Sequence, residues 1–343
     1  MRMDTIPPSK KLIISDLDNC LVDSLEIFGT LKKTLADIAQ GRNLPLELLY
    51  DLTREAEGEH RFNDAVGLID YMNKIEPRFK TDSAHHQAID YAAKKEWLET
   101  SSSLSTFYPG IADAIHKFHE IGANFVMRTD AERLPVIRRV WLTAFNAAAA
   151  GDMESPYDAL SLYDRIYCRP SLNDPEPENF APYLACFSHA YDVPLDFALA
   201  LSEHMTVGAA HKPSPSFIEH ILDDFGTSHR ETLYLGDSYK DGLEAQCLDG
   251  RRVDFAWTLY GADWRDEVRD FYAEVGSKSW RYGREEIRHQ LKEHGVRIHH
   301  TLENSISDVF NRYSFACGNT ARRDFATARD IRQLPPAPRA NLG

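Results

Sequence analysis

The stretch of residues 11–24, KLIISDLDNCLVDS, constrains this chain more than any other. Leu12, Ile13 and Ile14 form an apolar run too brief for a stable helix and rich in β-branching. A run of that kind suits a strand buried on both faces. Such strands lie at the centre of parallel sheets, and those sheets carry their ligand site just past the carboxyl ends of the strands. Asp16 and Asp18 fall at that end, with Leu17 between them pointing the other way. Two carboxylates so placed repel one another, and a cation or a proton on one of them is needed.

The remainder alternates strand and helix with short links, the signature of a doubly wound α/β fold with a parallel sheet. From Leu25 onward the spacing is helical: Leu31, Leu35 and Ile38 recur on one face, Leu44-Pro45-Leu46 breaks the run, and amphipathic stretches follow. Residues 25–104 therefore read as a helical cap inserted after the first strand as a lid over the aspartates. The core is expected from 11–24 and 105–262. In it, Ile111, Ala114, Ile115 and Phe118 share a helix face, 124–127 is a strand leading into Arg128-Thr129-Asp130, and a long helix spans 133–149. Residues 163–169 read as a third strand. The Pro-rich SLNDPEPENFAP opens a second insertion, 171–210, helical over 180–205. Lys212 precedes a helix, 232–235 is a strand ending in GDSYKDG, and 253–259 is another. Residues 263–318 read as a helical extension with a last strand at 296–298, and 319–343 as a disordered tail.

Composition narrows the partners. A chain of 343 residues can bury a large core, and its formal charge of −14 disfavours non-specific binding to nucleic acid, which needs a cationic face. No apolar run approaches the length of a membrane span, and the first strand begins too early for a signal peptide, so a cytoplasmic location away from the membrane is expected. The five cysteines are scattered without CxxC spacing and read as free thiols.

The strand ends present Asp16 and Asp18, then Thr129, then Lys212 at a helix start, then Asp237 and Asp241. These are parts with complementary tasks. A carboxylate can attack phosphorus, a second carboxyl can pass a proton, and a hydroxyl and an ammonium can hold the equatorial oxygens. The further acidic groups make sense around Mg²⁺, a hard ion that takes oxygen ligands. In its motifs the chain resembles the haloacid dehalogenase superfamily, in the branch of capped phosphatases with a helical lid after the first motif. DLDNCLVDS is similar to the first motif, FVMRTD to the second, HKPSPSF to the third and GDSYKDG to the fourth, while YPGIADAIHKFHEIG resembles the segment this branch carries before the second.

The resemblance implies Asp16 as nucleophile, Asp18 as general acid and base, and Thr129 and Lys212 as holders of the phosphoryl group. It implies Mg²⁺ held by Asp16, the Asp18 carbonyl and Asp237, with Asp241 in support, and a phosphate cradle of amides from Leu17 through Asn19 and Cys20 and near Asp130. Asp18 argues against carbon-halogen chemistry, since the dehalogenases of this family lack an acid there. Cys20 stands where the family usually has Thr and reads as a small buried hydrophobe. Asp130 puts an acid directly after Thr129, either to cap the next helix or to repel a second anion. In the lid, Arg54, His60, Arg61 and Asn63 sit together as candidate specificity residues, and Arg128 either clamps an anionic substrate or pairs with Asp130. The activity implied is a phosphomonoester hydrolase of a small phosphorylated metabolite. Two alternatives stay open: a phosphomutase or phosphotransferase, and a protein-directed phosphatase or binding protein. Oligomeric state is left open.

Overall fold

The structure, a computed structural model, describes residues 9–58, 68–69, 72–73, 83–170, 180–208, 210–246, 250–261, 270, 273, 284–298, 300–302, 306, 309–310 and 313. Seven strands form one parallel sheet: β1 (Leu12–Ser15), β4 (Asn124–Glu132), β5 (Arg165–Arg169), β6 (Met205–Val207), β7 (Thr232–Gly236), β8 (Asp254–Thr258) and β9 (His300–Leu302). Their order is β6-β5-β4-β1-β7-β8-β9. The chain thus winds outward from β1 in one direction through β6, then returns to lay β7, β8 and β9 on the other side. That reversal makes β1 the topological switch, where a doubly wound sheet opens a crevice at its carboxyl edge.

Burial follows from the strand pattern. In β1 all four residues are buried, with Ile13 on the face shared with Phe125 and Leu233, and Leu12 and Ile14 on the face shared with Val126 and Tyr234. The first face is covered by the helices Ile111–Glu120, Arg133–Ala150, Phe180–Tyr191 and Leu195–Glu203, the second by Pro215–Phe225 and Arg284–Glu293. Because helices cover both faces, the strands read as continuous apolar runs rather than alternating ones.

Two short strands, β2 (Val22–Asp23) and β3 (Thr106–Phe107), pair antiparallel through Val22↔Phe107 and Asp23↔Thr106. The chain leaves the core for the helical block at this ribbon and returns through it. Within the block the helices Leu25–Arg42 and Ala84–Leu104 pack along each other, and Arg42 of one meets the buried Asp90 of the other at 3.1 Å. None of the described helices is long and apolar enough to cross a membrane.

Four sequence expectations need correction. The stretch 171–210 is not an insertion: β6 hydrogen-bonds in register to β5, and Leu184, Phe187, Phe197 and Leu201 lie in the main core. The helices Phe180–Tyr191 and Leu195–Glu203 lie in the crossover between these two adjacent parallel strands. The helix expected over 180–205 is two helices, separated at Asp192, which takes a positive φ of 53°, and Pro194. The last strand is His300–Leu302 rather than 296–298, and it pairs with β8 at the edge of the sheet. The strand leading to Thr129 also runs on through Asp130 to Glu132, with a register shift against β5 between Arg128 and Glu132. The tail 319–343 lies outside the described residues.

Candidate active site

Register aligns three neighbouring strand ends. Ser15 is level with Met127 on one side and with Leu235 on the other, so Asp16, Arg128-Thr129 and Gly236-Asp237 emerge side by side at the carboxyl edge. The Asp16 amide still donates to Leu235 O at 3.0 Å, which ties the first aspartate to the sheet. Leu17 then turns into the core, buried, as its position between the two aspartates predicts.

Lys212, from the loop between β6 and the helix Pro215–Phe225, reaches across this edge. Its Nζ lies 2.7 Å from Asp16 Oδ1 and 2.8 Å from Asp241 Oδ1. Burial works against the ammonium, but the two carboxylates outweigh it and hold its pKa above the ordinary lysine value. Lys212 is therefore a fixed positive charge. The Leu17 amide donates to the same Asp16 oxygen at 2.8 Å. Among the described residues both donors fall on Oδ1, and Oδ2 of Asp16 accepts no hydrogen bond.

Asp237 and Asp241 come from the turn after β7. Asp241 sits at the third position of a capping box: its Oδ2 accepts from Ser238 N at 3.1 Å and from Ser238 Oγ at 2.7 Å. Gly236 makes this packing feasible, since a Cβ there would fall 2.4 Å from Asp241 Cβ. Although burial alone would raise the Asp241 pKa, Lys212 and Ser238 bring it below the ordinary carboxylate value. Asp237 is the opposite case. Its backbone carbonyl accepts from Trp257 Nε1 at 3.0 Å, but among the described residues no donor meets its carboxylate. Burial, with Asp241 and Asp16 alongside, pushes its pKa well up. Burial likewise raises Asp16 to about 7, with Lys212 pulling the other way.

A cation fits this arrangement. Carboxylate oxygens of Asp16, Asp237 and Asp241 all lie within 4.8 Å of one another, and the donorless Asp237 is the group that most needs a counter-charge. Oxygen-only ligands suit a hard divalent ion such as Mg²⁺. Both Asp241 oxygens already accept hydrogen bonds, so its natural part is to hold Lys212 and the turn, leaving Asp16 and Asp237 as the carboxylates available for direct ligation.

Thr129 is buried beside this cluster, its Oγ1 accepting from Ala131 N at 3.0 Å, which leaves the hydroxyl proton to donate. Asp130 lies in β4 and caps no helix; its Oδ1 accepts the Lys212 amide at 2.9 Å and so positions the lysine loop. Cys20 is buried against Ser15 Oγ at 3.2 Å, and burial raises its pKa, so the thiol stays protonated. In the expected cradle, Asn19 takes a positive φ of 56° and turns its amide to Val22 O at 2.8 Å. The Asn19 amide is thus not offered to a ligand. Gly261 closes over this loop: a Cβ on it would fall 1.4 Å from Asn19 O.

The candidates for specificity are dispersed. Arg54 is exposed and paired with Asp51 one turn earlier. His60, Arg61 and Asn63 lie outside the described residues. Arg128 is fully buried behind the site, donating to Glu244 Oε1 at 2.9 Å, to Ala210 O at 2.6 Å and to Thr129 O at 2.9 Å, with Asp130 farther off at 3.6 Å. A substrate clamp there is not what the fold presents. Arg128 instead anchors a layer that sequence reasoning missed. Glu244 accepts from Arg128, from Ser214 N at 3.1 Å and from Tyr234 Oη at 2.9 Å, and Tyr234 Oη also lies 3.2 Å from Asp241 Oδ1. The available signal was Glu244 three residues beyond Asp241, the spacing that puts two side chains on one helix face. Asp18, less buried than its neighbours, is held by Ser24 Oγ at 2.5 Å and by Arg139 from the helix Arg133–Ala150. Nothing local to Arg139 marks it in the sequence.

No family model matches the chain, and no curated protein matches it. Solved structures to which it is similar include a chain from Clostridium difficile provisionally described as a phosphatase (12% identity, 88% of this chain, 99% of that chain, TM-score 0.44). A HAD-superfamily hydrolase of subfamily IA from Geobacter sulfurreducens is another (14% identity, 78% of this chain, 97% of that chain, TM-score 0.35). A third is a predicted phosphoglycolate phosphatase from Haemophilus somnus (16% identity, 76% of this chain, 90% of that chain, TM-score 0.34).

Proposed function

We propose that this protein is a Mg²⁺-dependent phosphomonoester hydrolase of the haloacid dehalogenase superfamily, cytoplasmic and acting on a small phosphorylated metabolite through an aspartyl-phosphate. The observation that carries this reading is Lys212 held at 2.7 Å from Asp16 and 2.8 Å from Asp241, at strand ends where a third carboxylate, Asp237, has no donor among the described residues. The helical block 25–104 is the lid of this reading, entering and leaving the core at the β2–β3 ribbon.

In the first step Oδ2 of Asp16 attacks phosphorus, forming the P–O bond to the enzyme as the bond to the leaving oxygen breaks. Lys212 and the Thr129 hydroxyl hold the equatorial oxygens as charge gathers on them. Asp18 gives its proton to the departing oxygen. In the second step it takes a proton from the water that attacks the phosphoenzyme, and Asp16 leaves as a carboxylate. Asp16, Asp237 and the Asp18 carbonyl would hold Mg²⁺, whose charge would neutralise the cluster and stabilise the phosphoryl oxygens. Asp241 keeps Lys212 in place throughout.

Purified protein with Mg²⁺ should release phosphate from an activated aryl phosphate, and Asp16→Asn should lower that rate by roughly 10⁴-fold or more, since no other group replaces the nucleophile. Equal turnover by the variant would end the proposal. Adding sugars or nucleosides to the same assay separates hydrolysis from transfer, because a phosphotransferase would divert the phosphoryl group to them.

A further inference from the structure

Three arginines on the helix Arg133–Ala150 take different partners. Arg133 lies over the Phe180 ring at 4.0 Å and Arg138 over Trp97 and Tyr191 at about 6 Å, both on aromatic faces. Arg139 instead turns to the site, and its Nη1 meets Asp18 Oδ1. The second partner of Asp18 is as telling. Ser24 stands at the N-cap of the helix Leu25–Arg42, where a serine ordinarily accepts a backbone N–H of its own helix. Its side chain makes no cap bond, and the hydroxyl donates to Asp18 Oδ1 at 2.5 Å.

Both donors converge on one oxygen. A carboxyl whose Oδ1 already accepts two hydrogen bonds carries its proton on the other oxygen, and only that oxygen can pass it on. We propose that Arg139, together with Ser24, is a positioning residue that locks the Asp18 carboxyl with Oδ2 turned to the leaving-group oxygen. The proposal rests on the phosphatase reading above and assigns Arg139 no contact with substrate. It also gives the lid a part in the chemistry, because one of the two clamps is the first cap residue of the lid helix and the other belongs to the core.

The test is the dependence of kcat/KM on the leaving group. This parameter reports only steps through departure of the alcohol, so it isolates Asp18 as acid from Asp18 as base. An activated aryl phosphate needs little protonation as it leaves, whereas an alkyl phosphate needs it fully. Arg139→Ala should therefore lower kcat/KM for alkyl phosphates by roughly 100-fold, the scale of a general acid's contribution, and for aryl phosphates by less than roughly tenfold. Arg139→Lys, which restores one donor, should recover part of the alkyl rate, and Ser24→Ala should show the same leaving-group bias to a smaller degree. Thermal midpoints of all three variants separate these effects from misfolding. A loss equal across the leaving groups would overturn the proposal, as would a loss confined to alcohols bearing their own anion, which would make Arg139 a substrate contact. A wild type inert toward every ester would instead remove the phosphatase reading beneath it.

Discussion

On the floor of the site Arg128 and Glu244 are both fully buried and meet at 2.9 Å, whereas at the rim Arg139 meets an Asp18 whose side chain is 20% exposed. The floor pair is enclosed by Tyr234, Ser214 and the Ala210 carbonyl, so neither charge has water to fall back on. The rim pair joins a core helix to the start of the lid and keeps partial access to solvent. The buried pair gives a rigid platform although Arg128 Nε has no partner among the described residues, while the partly wet pair holds one oxygen of Asp18 and leaves the other open. The division matches the tasks assigned above. In the proposed mechanism Lys212 stays fixed through both chemical steps, whereas Asp18 releases and regains a proton.

Breaking the floor should therefore cost far more than breaking the rim. Glu244→Ala strands the Arg128 guanidinium in the interior and is expected to lower unfolding free energy by about 3–5 kcal/mol, the usual result of removing one partner of a buried pair. Arg139→Ala removes a buried guanidinium but leaves the 20% exposed Asp18 able to hydrate, and should cost about 1–2 kcal/mol. Urea unfolding of the two variants measures both, and comparable losses would erase the distinction. Replacing Arg128 and Glu244 together with apolar residues of similar volume should recover much of the Glu244→Ala loss, which a simple packing defect would not allow.

Proton and metal linkage sharpens the contrast next. Asp16, raised to about 7 chiefly by burial, and Asp237, also raised chiefly by burial, bind protons more tightly folded than unfolded. For groups of this kind the folded state holds the extra proton between the two pKa values, so stability in the absence of metal should fall as pH rises from about 4 through about 7. A cation bound by the same oxygens competes with those protons. Saturating Mg²⁺ should then stabilise the protein by about 2–3 kcal/mol near pH 8 and by less than about 1 kcal/mol near pH 5. Thermal unfolding with and without Mg²⁺ at both pH values checks this, and in Asp237→Asn the Mg²⁺ increment should shrink at the higher pH. An increment independent of pH would mean that the ion binds elsewhere.

What could be read in advance follows the same division. The central strands and their terminal aspartates were legible because β1 and β7 are continuous apolar runs that end abruptly in carboxylates. Edge strands were not: β6 is three residues, Met205–Val207, directly after a helix, and only its hydrogen bonds to β5 make it a strand. β9 likewise owes its position to β8, since Val296 and Ile298 are as apolar as anything in His300–Leu302 yet pack beneath the sheet instead. Short strands are defined by their neighbours, and a local pattern carries little of that. The site shows the same limit. Charged groups at strand ends announce themselves, but Glu244 and Arg139 lie on helices where a charge ordinarily means a solvated face.

The smallest effect belongs to the lid helix Leu46–Gly58, and it fixes how far the rim extends. Arg54 pairs there with Asp51, with side chains 48% and 63% exposed, in a geometry typical of solvated helix faces rather than of a ligand site. Exposed pairs at this spacing contribute little, so Arg54→Ala should change unfolding free energy by no more than about 0.5 kcal/mol. On the same grounds KM should stay within about twofold of wild type, since no desolvated interaction is removed. Steady-state kinetics on any hydrolysed ester makes the comparison. If KM instead rose by roughly tenfold at unchanged kcat, uniform substrate binding would have been lost. The rim would then have to be redrawn to include this helix, with the guanidinium leaving Asp51 for the substrate when the lid closes.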